Sequence, residues 1–133
     1  VLDLIKTRQE ELGTAVIFIT HDLAVVSEVC DYVNVMYAGR FVERAPVATL
    51  FEKPRHAYTR ALQRSIPAMQ KKGATLYTIP GLPPNLARGV AGCAFAPRCE
   101  AREGLPDHAA TRPPLVELES AHWVQDCPGC LAG

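Results

Sequence analysis

A histidine at the end of an apolar stretch is the first residue of this sequence whose position could support chemistry. Residues 15–20 are predicted to form a strand. Because Val16 to Ile19 have no polar residue between them, both faces of this strand should be covered, as in a parallel sheet. His21 follows directly, and Asp22 is a good N-cap for a helix after it. Because ligands of open α/β sheets bind beyond the carboxyl ends of strands, next to helix N-termini, this position indicates phosphate chemistry.

Four of the five cysteines form a second candidate site in the second half of the chain. Cys127 and Cys130 have chelate spacing, and thiolates bind soft metals, so four of them can hold a four-iron cluster or a tetrahedral zinc ion. The gap between Cys93 and Cys99 is wider than in the usual zinc knuckle, which favours a cluster modestly over zinc. Unligated thiols remain the third alternative. Cys30 lies on the apolar side of a predicted helix and is interpreted as a small core residue.

Length and composition predict about one soluble, cytosolic domain. The chain has 133 residues, and its 14 Lys and Arg balance its 14 Asp and Glu. The sequence therefore lacks the excess of positive charge that would indicate nucleic acid or an anionic surface as a partner. No apolar run approaches the roughly 18 residues of a membrane helix, and no signal peptide is visible. Because cytosolic thiols stay reduced, an odd number of cysteines favours metal or cluster ligation over disulfides.

His21 lies between two predicted helices. Residues 1–12 predict an amphipathic helix that ends at Gly13, and residues 22–30 predict a second helix. A hairpin is predicted next, with strands 32–37 and 40–43 joined at Ala38-Gly39. A short helix from Pro46 through Phe51 follows. The next helix has Tyr58, Leu62 and Ile66 on one face, and Pro67 ends it.

The chain changes character after Pro67. Nine of the 11 prolines lie from Pro67 onward, and the apolar residues lose their helical period. We therefore predict an irregular tail over residues 68–133, with a boundary near residues 67–75. We also predict that the chain is a piece of a longer protein, because residue 1 already lies within a helical pattern and a parallel sheet needs more than one strand.

The other polar and aromatic side chains are expected to have structural roles. Three aromatic residues of the tail are predicted to be buried: Phe95, Trp123 and Tyr77. The histidines without a partner at metal spacing are predicted to lie on the surface, with His122 a minor ligand candidate: His56, His108 and His122. Three charged residues are predicted to be solvated: Asp31, Glu43 and Arg44.

Several segments resemble a known family. Ala-Val-Ile-Phe-Ile-Thr-His-Asp-Leu at residues 15–23 is similar to the switch-histidine loop of ABC transporter ATPases, and residues 33–40 resemble the hairpin that follows it. Tyr-Thr-Arg-Ala-Leu at 58–62, Ile-Pro-Gly at 79–81 and Gly-Cys-Ala-Phe-Ala-Pro-Arg-Cys at 92–99 closely resemble the C-terminal extension of oligopeptide/dipeptide importer ATPases. The resemblance runs from residue 1 to about residue 130 of the printed sequence.

This resemblance implies an α/β fold. Residues 1–67 would be the C-terminal part of a P-loop ATPase core, followed by an irregular Cys-containing extension over residues 68–133. The complete protein would couple hydrolysis of ATP, bound with Mg²⁺, to peptide uptake at the cytoplasmic face of the plasma membrane. Its implied partners are a second ATPase subunit, two transmembrane permease subunits and, indirectly, a peptide-binding protein, with no nucleic acid. Dipeptide, oligopeptide and nickel-complex importers share these motifs, so the solute is not specified.

The resemblance also implies roles for individual residues. His21 would contact the γ-phosphate and help to hold the attacking water, as a catalytic and nucleotide-binding residue, while Asp22 is a helix cap. The Walker A, glutamine-loop, signature and Walker B motifs are not among these residues, which by themselves should be inactive.

The family's cysteine pattern is changed in this sequence. The family expects a cysteine seven positions after Cys99, where Pro106 stands, and one late cysteine where this tail has two. Cys130 could therefore replace the missing ligand. The expected ligands of a 4Fe–4S cluster, or less favourably of zinc, are Cys93, Cys99, Cys127 and Cys130. The rival interpretation of the whole chain is a non-catalytic iron–sulfur or zinc-binding structural module.

Overall fold

A four-stranded antiparallel sheet lies at the centre of the computed structural model, which describes residues 1–102 and 112–131. The strands are β1 (Tyr32–Tyr37), β2 (Arg40–Pro46), β3 (Leu115–Glu119) and β4 (His122–Gln125). The helices are α1 (Leu2–Leu12), α2 (Leu23–Val29), α3 (Val47–Glu52), α4 (Ala57–Arg64) and α5 (Pro128–Leu131). Short 3₁₀ helices lie at Pro67–Met69, Leu86–Arg88, Ala96–Arg98 and Glu100–Arg102.

The predicted hairpin of β1 and β2 is confirmed. Its turn contains Ala38 at φ 50° and Gly39 at φ 77°, the left-handed geometry that tight two-residue hairpin turns require. Alternate residues of β1 are buried, as expected when one face of a sheet covers a core. A register shift after Val35 adds one residue to β2, which continues to Pro46 rather than ending at residue 43.

The tail contributes the other half of the sheet. The strand order is β1-β2-β4-β3, so β4 lies against β2, and its hairpin partner β3 is at the edge. The prediction of an irregular tail is wrong for β3 and β4, because their short strands join an existing sheet edge that the local pattern does not reveal. Strands from both sides of residue 67 thus belong to one sheet, and the boundary near residues 67–75 stays a prediction.

The apolar stretch before His21 forms no strand. Residues 14–20 are extended but unpaired within the described part of the chain, and Ile17 and Ile19 are 91% and 93% exposed. The predicted strand over residues 15–20 is therefore wrong for this structure. Its physical reason is that a parallel strand needs neighbours for its backbone N–H and C=O groups, and no described segment supplies them.

The apolar core lies between the inner face of β1 and β2 and the helices that follow. Leu50 on α3 is fully buried there, and complete burial of such a side chain contributes roughly 2 kcal/mol. Phe95, brought in from the tail, is 2% exposed and packs on the rings of Tyr37 and Tyr58, with centroids 5.2 and 5.4 Å away. Its predicted burial is confirmed, and this part of the tail is held by the same core.

The remaining helix predictions agree closely with the structure. α1 ends at Gly13, whose φ of 62° is the left-handed C-cap geometry. α4 ends at Arg64, before Pro67, which instead begins a 3₁₀ helix. The architecture is mixed α/β. Within residues 1–102 and 112–131, no helix has the length and apolar character that crossing a bilayer requires.

Candidate functional site

His21 lies on an exposed loop between the extended stretch and α2. Asp22 closes this loop on its helix side, since the amide of Ala24 donates to Asp22 Oδ1 at 2.9 Å. The amide of Asp22 in turn donates to the hydroxyl of Thr20 at 3.0 Å. Asp22 thus has the geometry of the predicted N-cap, and the imidazole beside it is open to solvent.

The four tail cysteines come from two separated segments that meet beside α4. Cys93 and Cys99 flank the 3₁₀ turn around Phe95, whereas Cys127 and Cys130 are at the end of the described chain. Burial is the main cause that raises the pKa of Cys93, Cys99 and Cys130, and the neighbouring Cys127 contributes to each rise. For Cys130 the pKa reaches about 12. The four thiols are therefore close enough to interact, and the protonated forms of Cys93, Cys99 and Cys130 are favoured.

A metal-binding arrangement is not formed by these thiols as they lie here. Within the described residues, no group of three or more Cys, His, Asp or Glu side chains is positioned to hold a metal ion. The donor set is chemically suited to a soft metal, since its four members are thiols that share one partly buried region. Two residues of the sequence argument, Pro106 and His108, lie outside the described residues.

Glu43 is fully buried, so its predicted solvated position is wrong. Its two carboxylate oxygens accept from the amides of Arg55 at 2.8 Å and His56 at 2.9 Å. The ring nitrogen Nε2 of His122 lies 2.7 Å from Oε1 of the same carboxylate. Two backbone amides and one imidazole nitrogen thus lie within hydrogen-bond distance of this buried carboxyl group, which is the condition under which such a group is tolerated in a protein interior.

His56 and His122 are each 1% exposed, and their predicted surface positions are also wrong. Nδ1 of His56 accepts from the amide of Tyr58 at 3.0 Å and so caps α4. Nε2 of His56 lies 3.0 Å from Oε1 of Gln125 on β4, and the thiol of Cys93 donates to the same oxygen at 3.7 Å. Burial lowers the pKa of His56 to about 4, because an imidazolium would have to be desolvated.

Sequence reasoning missed this buried polar network, which we define as Glu43, His56, His122 and Gln125. Its bonded members Glu43 and His122 are 79 positions apart along the chain, so no local motif unites them. One usable signal was present: Glu43 interrupts the apolar alternation of β2 immediately after Val42. A bulge at that point turns its side chain towards the core.

Arg98 anchors the segment that carries Cys99. Its guanidinium donates to the carbonyls of Pro80 at 2.9 Å and Ile79 at 3.1 Å, and to the hydroxyl of Tyr37 at 3.2 Å. Gly81 has a φ of 82°, and a Cβ there would lie 3.1 Å from Cγ of Arg98. The Ile-Pro-Gly segment at residues 79–81 thus packs against the arginine of the Pro-Arg-Cys segment, and a glycine at position 81 leaves room for that side chain.

Two further aromatic side chains of the tail are only partly buried. Trp123 is partly buried on β4, opposite Arg44 in the register with β2. Tyr77 is also partly buried, and the guanidinium of Arg64 lies over its ring at 4.2 Å. Their predicted burial is therefore confirmed only in part.

A family profile and several curated proteins are similar to this chain. Residues 42–104 match the profile described as the oligopeptide/dipeptide transporter C-terminal region. A peptide import ATP-binding protein of Brucella ovis is 47% identical over 129 residues, covering 92% of this chain and 37% of the relative. The oligopeptide transport ATP-binding protein OppD of Escherichia coli is 42% identical over 118 residues, covering 89% of this chain and 34% of that protein.

A third relative extends the comparison to another bacterial group. The oligopeptide transport ATP-binding protein OppD of Bacillus subtilis is 40% identical over 126 residues, which cover 94% of this chain and 35% of the relative. The chain therefore spans little more than a third of the length of these proteins. The profile match begins within β2, includes α3, α4, Cys93 and Cys99, and ends before β3.

Proposed function

This chain belongs to the oligopeptide/dipeptide transporter family as its C-terminal region, and we propose that it is part of the ATP-binding subunit of an ABC importer that takes up peptides. One observation carries the proposal: 47% identity to a peptide import ATP-binding protein over 129 residues, almost the whole of this chain. The complete subunit would bind ATP with Mg²⁺ and couple its hydrolysis to transport. It would pair with a second ATPase subunit beneath two transmembrane permease subunits, on the cytoplasmic face of the plasma membrane, with a binding protein delivering the peptide.

His21 is the residue through which this chain would take part in hydrolysis. The sequence contains no Gly-rich phosphate loop, so the residues that bind the phosphates of the nucleotide must come from elsewhere in the complete protein. An exposed imidazole at the end of the extended stretch, beside a capped helix start, can donate to the terminal phosphate when a nucleotide is brought to it. A donor aimed at charge that develops in the transition state speeds the reaction more than it tightens binding of ATP.

The thiols of the tail would have a separate, structural role. We propose that Cys93, Cys99, Cys127 and Cys130 are the ligands of a soft-metal centre, with a 4Fe–4S cluster favoured over zinc. Support comes from their donor type and mutual proximity. The thiols would supply sulfur ligands and lose their protons on binding, and the centre would tie the two segments together. A small rearrangement would be needed, because the described residues contain no formed metal site.

The residues that precede Val1 in the encoding gene give the cheapest test of the transport function. We expect them to encode a Gly-rich phosphate loop with its lysine and, later, an Asp-Glu pair. The assembled transporter, reconstituted in vesicles, should then take up radiolabelled peptide only when ATP is supplied. A start codon preceded by unrelated sequence, or peptide uptake that ignores ATP, would be incompatible with the proposal.

The metal centre is tested independently of transport. Protein purified without oxygen should contain iron and acid-labile sulfide in a constant ratio, and these should disappear from a variant in which Cys99 and Cys127 are both serine. The Cys30→Ser variant is the matched control, since Cys30 packs against the apolar core and is not one of the four proposed ligands. A folded preparation free of iron and zinc would remove the metal centre from the proposal and leave the importer function intact.

A further inference from the structure

The C-terminal hairpin of β3 and β4 is joined to the rest of the sheet by little backbone pairing. β2 and β4 are aligned at only two residue pairs, Glu43 with Val124 and Arg44 with Trp123. β1 and β2, by contrast, are aligned at six pairs. Because a short strand at a sheet edge gains little from two pairs, side chains must decide whether this hairpin stays in place.

The side chains that join the hairpin to β2 converge on the buried polar network. Glu43 is the centre, since it accepts from two amides that precede α4 and lies 2.7 Å from the His122 ring of β4. Gln125, at the other end of β4, lies 3.0 Å from the ring of His56. One fully buried carboxylate therefore bonds at once to the start of α4 and to the hairpin.

The same hairpin carries two of the four thiols. Cys127 follows β4 by two residues, and its carbonyl accepts the amide of Cys130 at 2.9 Å, so both move with the hairpin. Cys93 is on the opposite side of the junction and bonds to Gln125 at 3.7 Å. The position of β4 thus fixes the distance between the two pairs of cysteines.

We propose that the C-terminal hairpin docks on the rest of the protein through Glu43, and that this docking brings Cys127 and Cys130 to Cys93 and Cys99. Glu43 and His122 are then positioning residues for the thiol site, although neither touches it. The thiol site itself rests on the function proposed above, whereas docking does not depend on any metal. If the hairpin undocked, Glu43 would remain buried without one of its donors. The free-energy cost of this lost hydrogen bond opposes partial release of the hairpin, so docking is all-or-none.

The test compares Glu43→Gln with wild-type protein by hydrogen exchange. An amide in place of the carboxylate presents N–H to the amides of Arg55 or His56, and it removes the negative charge facing His122. We expect amides of residues 115–125 to exchange at least about tenfold faster while those of residues 32–37 stay protected. Glu119→Gln is the matched control: Glu119 crosses the same junction to Lys53 at 3.9 Å and to the guanidinium of Arg55 at 3.8 Å. Because Glu119 is exposed, loss of these ion pairs should leave exchange unchanged.

A second measurement reads the thiols directly in metal-free protein. A short bis-maleimide, to which two thiols add, should join either of Cys93 and Cys99 to either of Cys127 and Cys130 in wild-type protein, and Glu43→Gln should lose most of that product. Unchanged exchange and cross-linking, or an equal rise in exchange in residues 32–37, would overturn the proposal. If Glu43→Gln does not fold, His122→Asn decides by the same two criteria, because it leaves both amide bonds to Glu43 in place. Absence of metal from the tail affects neither readout.

Discussion

Replacing His21 by alanine is expected to lower ATP turnover by the complete transporter about a hundredfold or more, while ATP still binds. The expectation follows from the position of His21 on an exposed loop and from the size of the loss when one preorganised donor to a transition state is removed. Most contacts with the nucleotide would come from other parts of the protein, so the dissociation constant of ATP should change little. Single-turnover hydrolysis and nucleotide binding, measured separately, distinguish the two quantities.

Asp22→Asn is the matched control for this experiment. Asparagine caps helices about as well as aspartate and can accept the same bond from the amide of Ala24. We therefore expect the start of α2 to be kept, and turnover to stay within about twofold of wild type. If His21→Ala hydrolyses ATP at the wild-type rate, the catalytic assignment of His21 is wrong. If Asp22→Asn is as inactive as His21→Ala, the conformation of the loop, rather than the imidazole, determines the rate of ATP turnover.

Acidification from pH 7 to pH 4 is expected to destabilise the protein by about 3 kcal/mol through His56 alone. Burial lowers the pKa of this imidazole to about 4 from an ordinary value of 6.5. Between these values the unfolded chain binds a proton at His56 and the folded protein does not, so unfolding is favoured as the pH falls. A proton on Nδ1 would also remove the acceptor that caps α4 at the amide of Tyr58.

The measurement is the free energy of unfolding by urea at several pH values between 7 and 4. Other groups titrate in this range, so the relevant quantity is the difference in slope between wild type and two variants, His56→Asn and His56→Ala. Both variants lack the titrating ring and should flatten the dependence to a similar degree. At pH 7, alanine should cost about 1 kcal/mol more than asparagine, which retains a cap. Slopes equal to that of wild type would show that His56 is not the group responsible.

Local pattern predicted the local elements of this chain well. Periodicity and cap residues located α1 with Gly13, α2 with Asp22, and the hairpin of β1 and β2, because each of these is specified by residues close together in sequence. The stretch over residues 15–20 shows the limit. Its apolar run specifies burial, but the partners that would bury it are not among the described residues, and so it lies exposed.

The buried polar network shows a second limit of the same kind. Nothing near Glu43 in sequence says that a histidine 79 positions later will share its carboxylate, and a charged residue in a strand is ordinarily solvated. The site residues expected from the resemblance, His21 and the four thiols, stay predictions. The structure added the buried polar network, which connects β4 to β2 and to the start of α4.

The strand order has a consequence for how this protein is made. During translation the chain leaves the ribosome from its N-terminus, so β1 and β2 emerge long before β4, the strand that lies next to β2. Throughout that interval one edge of the nascent hairpin remains open to pairing with any other extended segment. Synthesis of β4 is therefore the step that closes this edge, and a chain that stalls before β4 would emerge with the edge exposed.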